Sequence, residues 1–73
     1  MSYEDLTLDQ IRHGERWIRK NSETAFANEA YSLADMLLRK ADSLWDELVR
    51  RIQAEDPHTT EADIRYFEGI QDV

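Results

Sequence analysis

The chain has no cysteine, one proline and two glycines among its 73 residues. Without cysteine there is no disulfide framework, no thiolate zinc site and no cysteine nucleophile. Apolar runs stop at two or three residues, so neither a membrane span nor a secretory signal is expected, and the expected location is cytoplasmic. Valine is scarce, no Asn-Gly or Asp-Gly pair marks a hairpin, and no stretch alternates with a period of two; strands are not expected. Bases are also short: nine against sixteen acids leave a net charge of −7, which argues against general affinity for DNA, RNA or anionic lipid.

What the chain does have is helix-forming material. Ala, Leu, Glu, Arg and Asp dominate, 41% of residues are hydrophobic and 34% charged. The expectation is a single all-α domain over residues 1–73, with Met1–Leu6 as a loose arm from which Tyr3 and Leu6 can pack. A core this small stabilises a fold only narrowly. Either the helices pack unusually well or apolar surface is buried against another chain.

Thr7 is placed to cap a first helix, with Asp9 and Gln10 in its first turn. Its apolar line is Leu8, Ile11 and Ile18, with Gly14 at the intermediate turn and Trp17 on the flank, and it is expected to end near Asn21. A long amphipathic helix is then expected from about 23 to 55, opened by Ser22 or Glu23. At 100° per residue Phe26, Ala30, Leu33, Leu37, Ala41, Leu44 and Leu48 hold the centre of one broad apolar arc, with Tyr31, Leu38, Trp45 and Val49 along its edge. Asp35, Arg39, Asp42, Ser43, Asp46 and Arg50 fill the opposite side. One neighbour covers a stripe of about 100°, and this arc is wider; a helix of this span would run to roughly 50 Å. Self-association or a partner protein is the expected cover, with Leu33, Leu37, Leu44, Trp45 and Leu48 as the dimer or core interface. The small Ala30, Ala34 and Ala41 would admit a second backbone. Pro57 stops the long helix, and Thr60 with Asp63 caps a third that carries Ile64, Tyr66, Phe67 and Ile70.

Charge is segregated. Glu4, Asp5 and Asp9 open the chain; Arg12, Arg16, Arg19 and Lys20 follow together; Asp35–Arg39, Asp46–Arg50 and Glu47–Arg51 stand four apart, at pairing distance on a helix. Beyond residue 52, Glu55, Asp56, Glu61, Asp63, Glu68 and Asp72 face Arg65 alone, with Glu61, Glu68 and Asp72 on one side of the third helix.

Chemistry is hard to place on this pattern. His13 and His58 lack a partner at metal-ligand spacing. The carboxylates lie on polar arcs beside arginines rather than in a desolvated pocket that would raise their pKa toward a working pH. Ser22, Ser32 and Ser43 have no local histidine, and no glycine-rich phosphate loop is present. No catalytic, cofactor or metal residue is assigned, and an enzyme is not expected. The cluster Arg12, Arg16, Arg19, Lys20 with Trp17 reads either as a small nucleic-acid face with one stacking ring or as a complement to the acidic segments. The net charge favours the complement.

In size and charge the chain resembles many phage-encoded inhibitors of bacterial nucleic-acid machines, including anti-CRISPR proteins; no motif maps residue by residue. The resulting expectation is a non-catalytic protein that binds another protein. Its most concrete form is an inhibitor covering a basic surface of a nucleic-acid-processing complex through Glu55, Asp56, Glu61, Glu68 and Asp72, with Tyr66 as the anchor. The alternative is a helical homodimer with a scaffold or regulatory role. A DNA-binding regulator acting through Arg12, Arg16 and Arg19 ranks third.

Overall fold

A computed structural model describes residues 3–71, and it contains three α-helices and, among those residues, no strand. Helix α1 spans Leu8–Ala27, α2 Tyr31–Glu55 and α3 Glu61–Gln71. The all-α, three-helix arrangement with its longest helix in the centre is therefore as the sequence indicates. The boundary between the first two helices is not.

The expected break at Asn21–Glu23 is absent; α1 continues through it and ends six residues later. Two contacts hold that extra length. Ser22 is buried and its hydroxyl donates to the Ala34 carbonyl at 2.8 Å, and Ala25 is buried one turn on. The reversal falls at Asn28–Ala30. The N–H of Glu29 donates to Phe26 O and that of Ala30 to Ala25 O, while Glu29 takes a φ of 63°. These are the paired hydrogen bonds of a Schellman motif, with glutamate in the left-handed position that glycine usually fills. Phe26 thus belongs to α1 and Ala30 caps α2, so neither lies on the long helix. At 25 residues α2 is about 37 Å long, well short of the length expected from a start at residue 23.

This redistribution changes what covers the apolar arc. The 20-residue α1 folds back antiparallel along α2 and buries much of its centre. Ile11, Leu44 and Leu48 form the buried cluster, with Tyr3, Leu6, Leu8, Ile18, Trp45 and Ile52 packed against it. Ala34 and Ala41 are buried as well, so small residues serve the close approach inside one hairpin. Gly14 lies over Leu44, whose Cδ1 would be 3.7 Å from a β-carbon at that position. Of the N-terminal segment, Tyr3 and Leu6 are half-buried, and Arg51 donates to the carbonyl oxygens of both.

The capping signals are realised in detail. Thr7 and Gln10 exchange hydrogen bonds at 3.1 and 2.8 Å in a capping box, and Thr60 and Asp63 do so at 3.2 and 3.3 Å before α3. Helix α2 ends at Glu55, two residues before Pro57.

Candidate functional site

Helix α3 attaches to the hairpin through few groups. Ile64 is its one fully buried side chain among the described residues. On one flank the Glu68 carboxylate accepts two hydrogen bonds from Arg12 Nε at 2.6 and 2.9 Å, and Arg16 donates to the Glu68 carbonyl at 3.0 Å. On the other, Trp45 Nε1 donates to Glu61 at 2.9 Å, and the Arg65 guanidinium lies 5.2 Å from the centre of the Trp45 ring. The hydrogen bond from Trp45, then that from Arg65, hold the Glu61 carboxyl below the usual carboxylate range.

The basic cluster is largely occupied by the chain's own acids. Arg12 holds Glu68 and Asp9; Arg19 holds Glu15 at 2.5 Å and Asp42 at 3.1 Å. Burial disfavours the Arg19 charge, yet Glu15 and Asp42 together leave it more firmly protonated than usual. Asp9 pairs with Arg12, and Arg50 takes Glu47 rather than Asp46. Asp35–Arg39 and Glu47–Arg51 form as the spacing indicates.

A groove of about 1020 Å³ runs between the three helices, with Arg16, Arg19, Lys20, Trp45 and Arg65 among its lining. Its guanidinium groups are already turned onto Glu15, Asp42, Glu61 and the Glu68 carbonyl. No buried side-chain nitrogen or oxygen among the described residues lacks a hydrogen-bond partner. Nor do three His, Asp or Glu side chains among them converge as a metal site. No helix of the described residues is long and apolar enough to cross a membrane.

The residues singled out from the sequence therefore fall into separate groups. Leu44 and Leu48 are core; Trp45, half-buried, carries α3; Leu37 is half-buried and Leu33 is 46% exposed. Glu55 ends α2 and Asp56 follows it, both exposed, with Asp56 accepting from the His58 N–H at 3.2 Å. Glu61 turns toward Trp45 and Glu68 toward Arg12, so these two do not join a common outward face. Asp72 lies outside the described residues. Tyr66 is 69% exposed.

Two further apolar residues of the third helix join Tyr66 outside: Phe67 at 60% and Ile70 at 52% exposure. Tyr66 and Phe67 meet edge to face with ring centres 6.1 Å apart. At 100° per residue, Asp63, Tyr66, Phe67 and Ile70 occupy one sector about 100° wide beside Ile64. The α3 periodicity was the available signal: one buried position, Ile64, leaves three large apolar groups without cover. A second exposed group lies on the hairpin, where Phe26 and Tyr31 stack edge to face at 5.3 Å.

Comparison with family models, with curated proteins and with solved structures gives no match to this chain.

Proposed function

We propose that this is a non-catalytic protein that acts by binding another protein through the outer face of α3. The observation that carries the reading is the exposure of Tyr66, Phe67 and Ile70 on a single short helix. Three large apolar groups at one place cost free energy in water and are the material from which interface anchors are made, tyrosine above all. Beside them Arg65 is paired with Glu61, and further acids stand close by in the chain. Asp63 shares their sector, and Glu55 and Asp56 close the preceding helix; none of the three makes an ion pair among the described residues. A partner that fits combines an apolar pocket with a basic rim.

The concrete form is an inhibitor that covers a basic surface of a nucleic-acid-processing complex, blocking access by bulk and by charge. Its acids are Glu55, Asp56 and Asp63, with Glu61 beside them; Glu68 instead holds α3 in place. Affinity capture from nuclease-treated lysate of the cell of origin, across a salt series, tests this. The expected result is one stoichiometric partner with a basic nucleic-acid channel, released by salt. It should be lost when Tyr66, Phe67 and Ile70 are changed together to serine, and weakened when Glu55, Asp56 and Asp63 are changed to lysine. These side chains are exposed, so far-ultraviolet circular dichroism should stay unchanged. Equal capture by both variants would remove α3 from the mechanism.

A further inference from the structure

Three of the four Arg and Lys residues of α1 stand in a line. Arg12, Arg16 and Lys20 are four residues apart, so they leave the same side of the helix about 6 Å from one another. Two indole rings accompany them. Trp17 of α1, 68% exposed, and Trp45 of α2 both border the groove of about 1020 Å³ that Arg16 and Lys20 also line. Helix α3 lies over part of this strip. Its Glu68 carboxylate accepts from Arg12, its Glu68 carbonyl accepts from Arg16, and its Arg65 stacks on the Trp45 ring. The Arg12 and Arg16 side chains keep 18% and 22% of their exposure, whereas Lys20 is exposed and makes no ion pair among the described residues.

We propose that this strip is a binding site for a single strand of nucleic acid and that α3 is its built-in competitor, with Glu68 standing where a backbone phosphate would go. Cations in line that follow a charged backbone, with rings beside them that stack bases, are the chemistry of single-strand grooves. An acidic peptide would use the cations and leave both indoles without a flat partner. A duplex keeps its bases stacked inside, away from the rings. The competitor is removable, because α3 has one buried apolar anchor, Ile64, and is otherwise held by the groups the strand would take. Arg19 is not released by opening, since Glu15 and Asp42, which hold it, do not belong to α3. The net charge of −7 opposes a strand at long range, so affinity is low while α3 is docked.

Fluorescence anisotropy of the full chain with a labelled oligothymidylate of about 12 nucleotides tests this. Glu68→Gln should bind about tenfold more tightly than the unaltered chain, because the competing charged hydrogen bond is weakened. Asp46→Asn removes the same charge from an exposed position outside the groove and should change affinity little. In the Glu68→Gln background, Lys20→Gln should lower affinity and flatten the slope of log K against log salt by about 0.7, the share of one phosphate contact on a single strand. Trp17→Ala should weaken binding by about fivefold or more through lost stacking. With the strand bound, amides of α3 should exchange faster while those of α1 keep their protection.

No binding by Glu68→Gln at about 50 mM salt overturns the site. Unchanged affinity in Lys20→Gln or Trp17→Ala overturns it too, as does a duplex that binds as well as the single strand. An equal gain from Asp46→Asn would reduce the effect of Glu68 to net charge and overturn the competition. So would a bound strand that leaves exchange in α3 unchanged. Capture of a protein partner depends on Tyr66, Phe67 and Ile70, which none of these variants alters, so the two readings fail separately.

Discussion

Glu29 is the residue on which the hairpin turns. An L-residue with a β-carbon in the left-handed region is held there at a cost of about 1–2 kcal/mol, because Cβ crowds the following carbonyl. The Schellman hydrogen bonds to Phe26 and Ala25 carbonyls hold it in place. Glu29→Gly removes the strain and is expected to stabilise the fold by roughly 1 kcal/mol, a rise of about 4–8 °C in the melting midpoint of a domain this size. An unchanged or lower midpoint would mean that the glutamate side chain stabilises the turn.

At the scale of the element, α3 is the least secured part. It has 11 residues, shorter than an isolated helix needs for stability in water, so its order depends on contacts with the hairpin. Ile64 supplies the apolar contact, while Arg12 and Trp45 supply the polar ones. Glu68→Gln keeps the shape and removes the charge facing Arg12; a hydrogen bond between charged, half-buried groups contributes about 1.5–3 kcal/mol. Amide hydrogen exchange should then show α3 opening much more often while Ile11, Leu44 and Leu48 keep their protection. Equal loss across all three helices would instead make α3 part of one cooperative unit. The motion matters for the proposed function, since α3 carries Tyr66, Phe67 and Ile70.

The whole molecule measures 40 × 28 × 16 Å. A slab 16 Å thick is little more than one helix diameter of about 10–12 Å, so every helix has a solvent side. Two carboxylates tie distant parts of this slab together. Glu47 is held below the ordinary carboxylate range by hydrogen bonds from Arg50 and then Arg51, and Arg51 in turn grips the Tyr3 and Leu6 carbonyls. Glu61 is lowered likewise by Trp45 and Arg65. A carboxyl whose pKa falls on folding stabilises the fold above its unfolded pKa, and that contribution disappears as pH drops through the folded value. The melting midpoint should therefore lose the stabilisation from these two groups only as pH falls below about 4. Comparison with Glu47→Gln and Glu61→Gln over the same range isolates it: both should fall less steeply with acid than the unaltered chain. Parallel curves would assign acid sensitivity to other groups.

Much of the architecture was legible because it is local. Helix propensity, the Thr7–Gln10 and Thr60–Asp63 caps and the stop before Pro57 each act within a few residues, and each stands where the sequence indicates. The boundary at Asn28–Ala30 was not legible. Phe26, Ala30, Leu33 and Leu37 keep helical spacing straight across the turn, and Ser22-Glu23-Thr24 resembles a helix start. Ser22 is helical because its hydroxyl reaches Ala34 on the returning helix, a contact that exists only after the hairpin closes. The same holds for the charges. Sequence position groups Glu61 and Glu68 with Glu55 and Asp56, but folding turns Glu68 onto Arg12, 56 residues away, and Glu61 onto Trp45. Composition and periodicity determined the helices and the acidic, cysteine-free surface, since those depend on neighbours in the chain. Only the tertiary structure decided which apolar side chains stay uncovered and which carboxylates remain free, because each of those outcomes is set by whichever distant residue folding brings into contact.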